Sequence, residues 1–79
     1  MSRYEKFREE ARKIVTMYIE KIKKEINLIK RKPTLFYGII LDSIVQLRDL
    51  MAEYGIDGEK AREIVVEELR KAREEILGE

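Results

Sequence analysis

The stretch TLFYGIILDSIVQLRDLMAEYGID, residues 34–57, decides how this chain is built. Pro33, just before it, has no amide hydrogen and restricts Lys32 to extended geometry, so no helix runs through this point. Thr34 is a good N-cap, and Gly55 suits the left-handed position that closes many helices. A helix over residues 34–54 follows. Placed at about 100° per residue, its apolar side chains fill an arc of roughly 240°. Only Asp42, Gln46, Asp49 and Glu53 form a polar strip. A surface helix typically needs an apolar stripe of a little over 100°, so this helix is read as buried by more neighbours than one chain supplies. With the polar strip outward, Ile40, Ile44 and Leu47 are expected to be fully buried.

Towards the N-terminus, Ser2 followed by Glu5 is a capping-box signature. Apolar residues then recur three and four apart from Tyr4 and Phe7 through Ala11, Tyr18 and Ile22 to Ile29. The spacing predicts one helix over residues 2–32, ending where Arg31 and Lys32 suit the negative helix terminus. Towards the C-terminus, Ile56 and Asp57 read as staple residue and N-cap, with Ile56 placed to meet Ala61. A third helix over residues 58–77 follows. Glu9–Lys13, Glu20–Lys24 and Glu67–Lys71 are favourably oriented i,i+4 pairs.

The expected fold is therefore all-α: a single-domain three-helix bundle, residues 1–79, with a long first helix. At 1.5 Å per residue the first helix is about 45 Å long and the others about 30 Å. Its first turns, with Tyr4 and Phe7, should then overhang the bundle and need a cover. Met17 with Leu28, and Val66 with Leu77, form further apolar pairs off the main stripes, each eleven residues apart. Tyr4, Phe7, Met17, Leu28, Val66 and Leu77 are the candidate interface of a homodimer. A two-fold axis is the commonest way to bury one self-complementary patch, with the long first helices antiparallel and the whole forming a larger helical bundle.

Composition narrows the chemistry. Seventy-nine residues without cysteine or histidine have no disulfide, no thiolate ligand and no near-neutral general base. No metal or other cofactor is expected. Glu63, Glu67 and Glu74 share a helical face, but di-metal bundle sites pair Glu with a His three residues on. Ser43 and Thr16 have no activating base in a plausible place. The four glycines stand singly, so no phosphate-cradling loop exists. The chain is read as non-enzymatic. Apolar runs such as Ile39-Ile40-Leu41 are far too short to span a bilayer, and no leader-like segment opens the chain. A cytoplasmic protein without membrane contact is expected.

Charged residues make up 42% of the chain, yet the net charge is only +1. Residues 1–32 carry 11 Lys and Arg against 5 acidic residues, and residues 33–79 carry 6 against 11. The basic segment offers an alternative reading as a nucleic-acid contact through Lys21, Lys23, Lys24, Lys30, Arg31 and Lys32. A phosphate-tracking helix gathers its cations on one side. These fall at three bearings with Glu20 and Glu25 among them, which is the pattern of a solvated helix, so self-association is preferred. A helical face meeting another protein is compatible with it.

Residues 57–76, from Asp57-Gly-Glu-Lys-Ala-Arg to Ala72-Arg-Glu-Glu-Ile76, resemble computationally designed helical bundles. The glycine closure, Asp N-cap and Glu/Arg/Lys-filled surface follow an idealised recipe. Residues 14–45 follow it less closely, with Met17, Asn27, Pro33 and Gly38. Small hyperthermophile proteins share much of this composition. The resemblance implies a thermostable scaffold without evolved chemistry and transfers no functional residue.

Lacking His and Cys ligands, the chain should fold without metal. A chelator is expected to leave the thermal unfolding midpoint unmoved; a lowered midpoint would contradict this.

Overall fold

Ser2 Oγ accepts the Glu5 amide at 3.2 Å, satisfying one of the donors left orphaned at a helix start. From there the computed structural model, which describes residues 2–78, runs through α1 (Arg3–Lys24), α2 (Ile26–Arg31), α3 (Thr34–Tyr54) and α4 (Gly58–Leu77). No strand occurs among the described residues.

The expected first helix is thus two helices, and the count is four rather than three. Glu25 adopts φ −100° and ψ 15°. Helical hydrogen bonds continue on either side of it, from Glu25 N–H to the Lys21 carbonyl at 3.0 Å and from Ile29 N–H to the Glu25 carbonyl at 2.9 Å. The break is therefore a kink. It turns α2 onto α3, where Ile29 is buried with Tyr18 and Ile39. No proline or glycine lies near Glu25 to announce it.

Lys32 is extended, with φ −133°, as the following proline requires. The N-cap position of α3 belongs to Pro33 rather than Thr34, and no side chain caps it. Pro33 already has helical φ, so the Leu35 and Phe36 amides close on the Lys32 and Pro33 carbonyls, each at 3.0 Å. At the other end Gly55 takes φ 61°, a left-handed geometry that costs glycine little. Asp57 accepts the Lys60 amide at 3.0 Å to start α4. Ile56 is buried in one cluster with Ala61, as the staple pattern predicts.

Packing centres on α1, which lies against both α3 and α4, while α3 and α4 scarcely touch each other. The molecule is accordingly flat, 42 × 24 × 16 Å. Phe7 and Ala11 of α1 are completely buried with Leu50, Ile56, Ala61 and Ile64. This overturns the expected overhang. With the kink at Glu25, α1 is only 22 residues long, close to its partners in length, so the α3–α4 corner covers its first turns.

One charge is buried in this packing. The Glu68 side chain of α4 is 0% exposed. It accepts hydrogen bonds from Arg8 Nη1 at 2.8 Å and Arg12 Nε at 2.7 Å, with Lys71 Nζ at 3.6 Å. Burial pushes its carboxyl up, but the hydrogen bonds from Arg12 and Arg8 outweigh this and hold it below the usual carboxylate range. Arg8 and Arg12 are one turn apart and remain about half exposed. They cover the carboxylate while keeping their own outer edges wet.

Replacing Glu68 by Gln should destabilise the fold by about 1–3 kcal/mol, since both arginines can be rehydrated. Because the carboxyl is depressed in the folded state, its contribution is present above the ordinary pKa of 4.5 and lost as pH falls through the lower, folded value. Urea titrations should show the gap between wild type and E68Q shrinking below pH 4.5. A gap that stayed constant or widened would contradict the assignment.

Candidate functional site

A buried phenol needs a hydrogen-bond partner, and Tyr18 of α1 is almost completely buried. Its hydroxyl donates to Asp42 Oδ2 and accepts from Gln46 Nε2, both on α3. These contacts set the rotation of α3. Asp42 and Gln46 belong to the strip expected to face solvent; Asp42, Asp49 and Glu53 are indeed exposed, but Asp42 and Gln46 lie at the α1 side of α3, within reach of Tyr18. The apolar arc is carried round with them, so only Ile39 and Leu50 of α3 are fully buried.

The expectation that Ile40, Ile44 and Leu47 form the deepest core is therefore corrected. Ile40 and Leu47 are half-buried, and Ile44 is 46% exposed. All three line an apolar groove of about 240 Å³ between α3 and α4, floored by Val15, Tyr18, Ile19 and Ile22 of α1. Beyond the groove wall, Tyr37 is 65% exposed, Leu41 63% and Val45 52%. Between Thr34 and Leu47 the sequence carries a single charge, Asp42, and Tyr18 engages it. The N-terminal half of α3 thus presents to solvent an apolar stripe opposite its own core side.

The residues predicted as an interface are dispersed. Phe7 is interior and presents no free surface. Tyr4 is partly exposed, with the Arg3 guanidinium 5.3 Å and the Lys60 ammonium 6.0 Å from its ring centre. Met17 and Leu28 are exposed, but the kink places them on two different helices. Val66 is exposed among Glu59, Arg62, Glu63 and Glu67 on the outer side of α4, and Leu77 lies at the end of that helix. The α3 stripe was visible only as excess apolar arc.

Lys21, Lys23, Lys24, Lys30, Arg31 and Lys32 are all exposed. Lys23 donates to the Ile76 carbonyl at 3.0 Å, across to the last turn of α4. The kink at Glu25 falls between the first three, on α1, and Lys30 and Arg31 on α2, with Lys32 just beyond it. The acidic face of α4 is structural as well: Glu67 and Glu74 each reach Arg70 at 2.7 Å, and Lys60 is 3.8 Å from Glu63. Of the expected i,i+4 pairs, Glu67–Lys71 forms at 4.0 Å, while Lys13 turns to Glu10 instead. No helix among the described residues is long and apolar enough to cross a membrane.

No family model, curated protein or solved structure matches the chain.

The hydrogen bond to Asp42, with burial, raises the Tyr18 pKa above its ordinary 10.0. The stabilisation is thus complete below pH 10 and is lost as pH rises through the higher, folded value. Ultraviolet titration of wild type minus Y18F should give a midpoint above 10 for this residue. Y18F should also cost about 1–2 kcal/mol, and a D42A background should remove most of that cost. Full additivity of the two would show that the pair does not interact.

Proposed function

We propose that the chain is a non-catalytic helical interaction module that associates with copies of itself, with a two-fold dimer as its working unit. The observation that carries this reading is the α3 stripe. In a chain of which 42% is charged, the first half of α3 turns Tyr37, Leu41, Ile44 and Val45 to solvent. They leave roughly 350–550 Å² uncovered, taking ~150–250 Å² as the full area of such a side chain. That is within the ~300–600 Å² of the largest patch on a typical monomer, which is often functional. It is about half of the ~800 Å² per partner of a standard interface, and the apolar groove lined by Ile40, Ile44 and Leu47 adjoins it.

Other roles find less support. The hydroxyl of Tyr18 and the carboxylates of Asp42 and Glu68 are occupied in holding helices together, and Glu67 and Glu74 pair with Arg70 within α4. The cations outside these pairs are spread over all four helices. A module of this kind acts by bringing chains together, and its charged outer faces are free to carry a further protein as a scaffold does.

Sedimentation equilibrium tests the reading. The protein should run at twice its 9.4 kDa at ~100 μM, where even an interface with Kd of ~1 μM is saturated. An apolar interface should change little between low and moderate salt. A monomer under these conditions would overturn the proposal. Nucleic-acid binding that weakens steeply with salt would support the alternative use of the basic residues instead.

A further inference from the structure

An interface between two copies about a two-fold axis must contain both halves of the fit on one patch. The α3 face has both. Tyr37, Leu41 and Val45 follow one another at four-residue spacing and so form a ridge along the helix. Beside them Gly38 leaves a gap: a Cβ built there meets nothing within 4 Å, and its φ is not in the left-handed region. Nothing within the chain therefore calls for glycine here, although glycine inside a helix is about 0.5–1 kcal/mol worse than alanine. A glycine on an exposed helical face allows another backbone to come close.

We infer, on the reading that the protein self-associates, that two copies pair through α3 with the helices antiparallel about an axis at Leu41. Antiparallel register about position 41 sets Leu41 against Leu41 of the partner subunit and Tyr37 against the partner's Val45. Gly38 then lies beside the partner's Val45, whose half-exposed side chain fills the gap that the missing Cβ leaves. Charge fits the same direction. Lys30, Arg31 and Lys32 precede α3, and its second half carries Arg48 against Asp49 and Glu53, a net charge of −1. Antiparallel pairing brings the basic end of each copy to the acidic end of the other, whereas parallel pairing sets like against like. The α3 ridge continues into the apolar groove beside it, so the contact can spread from α3 towards α4.

The absence of native cysteine makes single-cysteine variants clean probes. Leu41 is exposed, so L41C should fold. Residues facing each other on a two-fold axis come within the ~7 Å Cα separation a disulfide requires. Under mild oxidation L41C should form a disulfide dimer, and M17C and V66C should not. A mixture of Y37C and V45C should give the mixed dimer in excess over either self-paired product. G38A, harmless within the monomer, should weaken dimerisation about tenfold, the effect of ~1.4 kcal/mol. If wild type sediments as a dimer but M17C or V66C cross-links and L41C does not, the α3 pairing is wrong and self-association stands. A dimer in which Y37C and V45C each self-pair overturns the antiparallel direction. Dimerisation by G38A as tight as wild type overturns the close approach at Gly38. A wild-type monomer removes both proposals, and a monomer that co-sediments with phosphatidylserine vesicles assigns the stripe to a lipid surface instead.

Discussion

The rotation of α3 about its own axis is the constraint on which the rest of this structure depends, and the Tyr18 hydroxyl sets it. Burying the phenol without a partner is costly, of the order of 1–3 kcal/mol, and α1 offers nothing but apolar neighbours along its seam. Asp42 and Gln46 supply one acceptor and one donor. Meeting them turns α3 so that Asp42 and Gln46 flank α1, Asp49 and Glu53 stay exposed, and part of its apolar arc points away. An apolar arc of roughly 240° cannot be hidden by one neighbouring helix in any case. The Tyr18 contact chooses which part is left over.

A second buried polar group works along the bundle rather than around it. Glu68 is held by two arginines one turn apart on α1, and their spacing allows one axial position of α4. The neighbouring positions Phe7 and Ala11 are sealed in the same region by the α3–α4 corner. Breaking such a buried charge pair is expensive, although the pair itself is weak evidence for net stability. Its contribution is register. Together, Tyr18 orients α3 and Glu68 locates α4, each by reference to α1.

Because both flanking helices are fixed to α1, they are not required to meet each other. In a closed three-helix bundle each helix covers the other two. Here α3 and α4 stand apart over much of their length, with an apolar groove between them. A chain this small buries a limited share of its surface, and leaving one side open reduces that share further. The proposed association with a second copy would cover that side. The polar groups have been used to position helices, and the apolar remainder of α3 is what the fold has left to offer a partner.

Much of the local structure is legible in the sequence because its causes are local. Ser2, Asp57, Gly55 and Pro33 act through their own backbone and the next few residues, and the helix ends over residues 34–77 fall where they predict. The surplus of apolar arc on residues 34–54 is legible too, since helical periodicity needs no knowledge of neighbours. Three things were decided only in the tertiary structure. The kink at Glu25 has no proline or glycine behind it and follows from Ile29 finding its place against Tyr18 and Ile39. The cover over Phe7 depends on how long α1 is once that kink is made. The side of α3 left exposed depends on a hydroxyl 24 residues away from Asp42. Periodicity reports how wide an apolar face is, but the direction it points is fixed by a partner that sequence spacing does not reveal.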